Sequence, residues 1–303
     1  MDFFDWDEKV DTIIGNPPYV KYQNILNSTK KKLSNKFNNR TNLYIFFIDH
    51  CIDLLNDNGE LIFIVPRDFV KASSAILLNE RLFKEGGFSY WEEFGDSVIF
   101  SDATPNVVIF RWVKNNKHTI PVNFSNGFLS FPKEKNIKEK ILIKDIFEVM
   151  VGGASGANDI FIEENGNIDL VVSTTKSTGL TKKAHYVEQP TLYLEQYKEK
   201  LLARKMKNFN ENNWWEWGRK IRHITKPKIY VNARTRDLKP FFTHESGWFD
   251  GSILALVPKE NNSYTINELI QMLNNNDWEN QGFKVGGRLI FGQRSLSNAF
   301  LFN

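Results

Sequence analysis

Two apolar rhythms alternate along the first third of the chain. Thr12-Ile13-Ile14 is a short β-favouring run ending at Gly15, and it predicts a buried strand. Leu43–Leu55 carries apolar residues at helical spacing, with Leu43, Phe46, Phe47, Cys51, Leu54 and Leu55 facing inward. Asn58-Gly59 reads as the stop of that helix. Glu60–Val65 is almost continuously apolar, as a strand covered on both faces would be, and Pro66 closes it. Val70–Phe83 fits a second helix halted by Gly86-Gly87. Ser89–Phe94 fits a third strand, and Val98–Phe100 with Val107–Trp112 a closing hairpin. This succession predicts an α/β fold of the doubly wound, Rossmann-like kind.

After Trp112 the regular alternation fades. The polar run Lys114-Asn115-Asn116-Lys117 suggests a division into residues 1–115 and a mixed α+β region over 116–303. Ile137–Val149 has helix-compatible spacing, with Ile141, Ile146 and Val149 inward. Gly152-Gly153-Ala154-Ser155-Gly156-Ala157-Asn158 lacks the Gly-x-x-x-x-Gly-Lys pattern of a nucleotide loop. Its small residues allow close backbone approach to a flat or charged partner, or simply a turn. Lys226–Arg236 reads as a strand running into a basic loop. Gly286–Arg294 is a glycine-rich stretch that could be an ordinary strand or reach a polyanion through Arg288 and Arg294.

Composition adds a boundary and a charge map. The 303 residues are enough for two cores. The sole cysteine, Cys51, excludes an intrachain disulfide and favours a cytoplasmic setting. Five scattered histidines give no metal-ligand spacing. The formal charge of +3 is strongly segregated. Thr12–Ile48 holds six Lys/Arg and no acid, and Lys198–Pro240 holds thirteen Lys/Arg against four acids. Two basic blocks on an otherwise acidic chain suit a polyanion-binding surface, although solvated faces remain the alternative. Trp214, Trp215 and Trp217 lie inside the second block and read either as core or as platforms for bases.

The chemistry concentrates in Asn16-Pro17-Pro18-Tyr19, directly after the first strand. Two prolines fix two φ angles and remove two N–H donors. The result is a stiff loop of acceptors with an aromatic ring beside them. It sits where open α/β sheets bind ligands, at a strand's carboxyl end. Such a loop could accept both hydrogens of a planar amino group and hold the base that carries it.

These four residues resemble the catalytic motif of amino-group methyltransferases that use S-adenosylmethionine. The closest resemblance is to the adenine-N6-specific DNA methyltransferases of type II restriction–modification systems, in the class with a C-terminal target-recognition domain. The tetrapeptide also occurs in enzymes acting on glutamine or ribosomal RNA. The order of Leu43–Phe47, Leu61–Pro66, Val98–Phe100 and Val107–Phe110 resembles the second half of that family's sheet. The resemblance implies Asn16, Pro17, Pro18 and Tyr19 as catalytic, and Tyr19 with Phe100 against the flipped base. It implies Asp2, Phe3 and Asn16 toward the cofactor. For DNA it points to Lys21 and Lys31 beside the catalytic loop, Gly156 and Asn158 in the glycine-rich segment, and Lys226, Lys228, Arg234, Arg236, Arg288 and Arg294.

The family's upstream glycine-rich cofactor loop has no counterpart before Asp2-Phe3. The Thr12–Ile14 strand is therefore expected to have an open edge. A separate chain supplying that half, a truncated remnant and a fragment all fit this expectation. A non-catalytic DNA-binding or specificity protein derived from such an enzyme is the alternative reading.

Overall fold

In the computed structural model the apolar runs at Thr12 and Leu61 become neighbouring parallel strands. The structure describes residues 2–33, 35–94, 107–132, 140–260, 262–285 and 287–302. Strand β1 is Val10–Gly15, β2 Leu55–Pro66, β3 Gly86–Glu93 and β4 Val107–Lys114, in the sheet order β1-β2-β4-β3. Ile13 of β1 lies opposite Leu61 of β2, and Gly15 opposite Phe63. Strand β4 runs antiparallel to both its neighbours, β2 and β3. This is an α/β arrangement in which helix Leu43–Leu54 buries Ile45, Ile48, Cys51 and Ile52 with Leu61, Phe63 and Val65 of β2.

Several expectations change here. The first helix does not run on to Asn58-Gly59. It stops at Leu54, because Leu55 reaches the same core from an extended backbone and already belongs to β2. Asn58, at φ 63°, and Gly59 lie inside β2. The second helix is Ile76–Lys84, preceded by 3-10 turns at Arg67–Lys71 and Ser73–Ala75. The Phe69 carbonyl there accepts from Ala72 N–H at 3.2 Å and from the buried Asn79 amide at 3.0 Å, bonds that a continuous helix would displace. Strand β1 is not buried: Ile14 is 73% exposed, and among the described residues β1 pairs with β2 alone. Val98–Phe100 lies outside the described residues.

Compact packing groups Met1–Glu139 with Asp277–Ile290 and Asn298–Phe300, and Lys140–Asn276 with Phe291–Ser297 and Leu301–Asn303. In the second unit, the helix expected over Ile137–Val149 is replaced by one helical turn, Ile143–Ile146, and a strand, Phe147–Val151. The reason is pairing: Val149 lies opposite Leu256 of the strand Ile253–Pro258, which in turn pairs with Ile229–Asn232. Trp214 and Trp217 are core, at 3% and 2% exposure, among Phe161, Leu170 and Leu194. No helix among the described residues is long and apolar enough to cross a membrane.

Burial pushes the Cys51 thiol up to about 12. The neutral thiol is therefore favoured in the fold. That contribution to stability is complete below the unfolded value of 9.0 and is lost as pH rises towards about 12. An alkylating reagent at about pH 8 is expected to label Cys51 in denaturant and leave the folded chain unlabelled, as mass spectrometry would read.

Candidate active site

Strand β1 ends where its ladder loses its donors. Gly15 is the last residue paired with β2, and a Cβ there would stand 3.1 Å from the Phe63 ring. Beyond it Pro17 and Pro18 have no N–H to offer. The Tyr19 hydroxyl takes over, donating to the Ile64 carbonyl at 3.0 Å. Its ring meets Tyr44 edge-on at 6.0 Å, and the Tyr44 hydroxyl donates to Asp68 Oδ1 at 3.3 Å. The loop is thus tied to β2 and to the turn that follows it. Burial pushes the Tyr19 hydroxyl up to about 12 and raises the Asp68 carboxyl above the usual carboxylate range. Pro17 is buried and Pro18 exposed. Asn16 is exposed and makes no hydrogen bond among the described residues, which leaves its amide oxygen open to a ligand.

Asp2 caps the 3-10 turn Phe3–Asp5 through Phe4 N–H at 3.3 Å. It also accepts from Thr29 at 3.3 Å and lies 3.5 Å from Lys32. Its two oxygens retain acceptor capacity for one more donor, as a cofactor's amino group would require. Phe3 is committed to packing, stacked on Phe47 at 4.5 Å. Lys21 and Lys31 are exposed on the segment after the Asn16–Tyr19 loop. Phe100 lies outside the described residues.

Sequence reasoning missed Tyr44, Asp68 and Lys71 in this unit. Tyr44 shares the helical apolar spacing of its neighbours, and only the fold aims its hydroxyl at the loop's support. Lys71 lies 5.0 Å over the Phe283 ring, and burial, with the Arg67 charge beside it, pulls its ammonium down to about 7.

In the second unit, Gly156 is exposed at φ 77°. Ser155 Oγ donates to Asn158 Oδ1 at 2.6 Å, so that exposed amide is partly used. Arg204, also missed, holds this segment. Its guanidinium donates to Ser155 O at 2.5 Å, to Leu201 O at 2.8 Å and to Glu216 O at 3.0 Å. It lies 3.8 Å over the Phe209 ring, and burial pulls it down to about 10. Lys228 is buried and donates to Glu245 O at 3.0 Å, so its ammonium is turned inward. Lys226 is exposed, pairs with Glu260 at 3.0 Å, and rims a groove of about 810 Å³ beside Arg222, His223 and Lys259. That groove is lined by residues of the second unit, whereas the Asn16 loop belongs to the first. Arg234 and Arg236 are exposed on one hairpin between Ile229–Asn232 and Phe241–Phe242. Arg288 and Arg294 are exposed as well.

Residues 1–100 match the Eco57I restriction-modification methylase family. The matching segment contains the whole Asn16–Tyr19 loop. A type II methyltransferase of Haemophilus influenzae, M.HincII, is 34% identical over 122 residues, covering 38% of this chain and 24% of that protein. M.BanIII, a type II methyltransferase of Aneurinibacillus aneurinilyticus, is 22% identical over an alignment that covers 88% of this chain and 64% of that protein. The chain therefore spans less than two thirds of these relatives' length. The fold resembles that of the type IIL restriction-modification enzyme MmeI, solved in complex with DNA. The match has a TM-score of 0.66 at 12% identity and covers 95% of this chain and 46% of that one.

Tyr19→Phe removes the hydroxyl and leaves the Ile64 carbonyl without its donor. It is expected to lower the first unit's stability by about 0.5–1.5 kcal/mol in denaturant titration. Arg204→Met strips four carbonyls, those of Ser155, Leu201, Trp214 and Glu216, of a charged donor. It should cost the second unit about 3 kcal/mol or more, followed by the fluorescence of the buried tryptophans.

Proposed function

We propose that this chain is the catalytic-motif and target-recognition portion of a site-specific DNA adenine-N6 methyltransferase. The observation that carries the reading is the proline-stiffened loop Asn16–Tyr19, fastened to β2 through Tyr19, within the segment that matches the methylase family. Adenine's amino nitrogen is a poor nucleophile because its lone pair is delocalised into the ring. Asn16 Oδ1 and the Pro17 carbonyl accept its two hydrogens and so favour the pyramidal, more nucleophilic nitrogen. The rigid loop holds both acceptors in place before the base arrives, so little reorganisation is needed as charge develops. The half-buried Tyr19 ring borders the extruded base. S-adenosylmethionine supplies the electrophilic methyl group when bound, and Asp2 has the acceptor capacity to hold its amino group. The second unit, with its exposed arginines, takes duplex DNA. A large basic unit of this kind favours DNA over a glutamine substrate.

We further infer that the active enzyme covers the outer edge of β1 with another polypeptide segment. The support is the single pairing of β1 among the described residues and the 73% exposure of Ile14. Covering that edge would satisfy its ladder and bury Ile14 together.

Asn16→Ala in an enzyme with that edge covered is expected to reduce transfer of labelled methyl groups to DNA by about 100-fold or more. Retention of DNA on a filter should stay near the unsubstituted level. Equal loss of both would make the loop a structural turn. The 303-residue chain assayed by itself is expected to give background incorporation; robust methylation would overturn the need for a covering segment.

A further inference from the structure

We propose that Leu238, with Leu180 on the turn that Lys176 joins to its own, forms an apolar probe that seats on the bases of duplex DNA while the exposed cations of its turn hold the phosphates. This rests on the reading of the second unit as a DNA-binding unit. Leu238 is 80% exposed and Leu180 70% exposed, each in a turn built by its own hydrogen bonds. In the first turn Asp237 N–H donates to Thr235 Oγ1 at 3.0 Å, and Lys239 N–H to Asp237 Oδ1 at 2.9 Å. In the second, Gly179 takes φ 71° and Leu180 N–H donates to Thr178 Oγ1 at 3.1 Å. Lys176 buckles the two turns together, donating from one to the Asp237 carboxylate and the Lys239 carbonyl of the other.

The buckle also sets the charge. Asp237 is the sole acid between Arg234 and Pro240, and Lys176 neutralises it. Arg234, Arg236 and Lys239 are left exposed, with no ion pair among the described residues. A leucine flanked in sequence by exposed cations with no ion pair among the described residues is a poor match for a protein core or a neutral surface. It suits a polyanion with an apolar interior, which a groove floored by stacked bases provides. Exposure alone would not single out this place. Leu192 is 83% exposed, but Glu188 and Glu195 flank it in sequence, a setting that repels phosphate.

Charge and apolar contact separate in a salt titration. Each cation on a phosphate adds to the slope of log K against log salt, and a leucine adds nothing to it. The full chain is first used to retain duplexes from a pool of randomised sequence. Affinity is then measured for a retained duplex and for poly(dI·dC). Leu238→Ser, at an exposed site, is expected to keep the melting temperature and the salt slope. It should weaken binding to the retained duplex by about tenfold and so shrink its preference over poly(dI·dC). Leu238→Met should restore the preference. Arg236→Ala should lower the slope by about one and weaken both DNAs alike.

An unchanged preference in Leu238→Ser overturns the proposal, as does a change confined to self-association or to binding of anionic lipid vesicles. If the unsubstituted chain retains no duplex at all, the reading of the second unit as a DNA binder fails and the probe fails with it.

Discussion

The candidate site depends on one hydrogen bond made where a β-ladder gives out. Parallel pairing of β1 with β2 ends at Gly15 opposite Phe63, and the prolines that follow cannot donate. The Tyr19 hydroxyl supplies the next donor to β2, at Ile64. The same prolines that break the ladder make the loop rigid, and the same tyrosine that repairs it brings an aromatic ring back over the strand ends. Asn16, between the last paired residue and the first proline, is left exposed with its amide unused. Structure and chemistry are therefore coupled: the acceptor is open because the residues around it have found other ways to be satisfied.

The second unit solves a different problem, that of carrying many cations without unfolding around them. Some are turned inward and used as structural donors. Arg204 gathers carbonyls from three segments and packs over Phe209, and Lys228 donates to Glu245 O. Others remain outside. Arg234, Arg236 and Lys239 stand on a hairpin whose single acid is neutralised by Lys176. Net charge read along the chain cannot separate these two populations, because desolvation and carbonyl supply differ from one lysine to the next.

Much of the first unit was legible because its patterns are local. The helix over Leu43–Leu54 and the strands at Ile13 and Leu61 follow from apolar spacing. Two of the differences share one cause. Leu55 joined β2 opposite Val10, and Phe147–Val151 became a strand opposite Ile253–Pro258, because strand partners distant in sequence outweighed local helical spacing. Trp214 and Trp217 could have been core or platform by sequence, and burial among Phe161, Leu170 and Leu194 made them core.

The sequence by itself determined the stiff acceptor loop, its place after a strand and the segregation of charge, since proline geometry and residue type act locally. Tertiary structure decided which groups remain free to act. It tied Tyr19 to β2 and Asp2 to Phe4 and Thr29, turned Lys228 inward, and left Asn16, Arg234, Arg236 and Leu238 exposed. Those outcomes depend on partners up to forty-five residues away in sequence, as between Tyr19 and Ile64, and no local pattern encodes such a meeting.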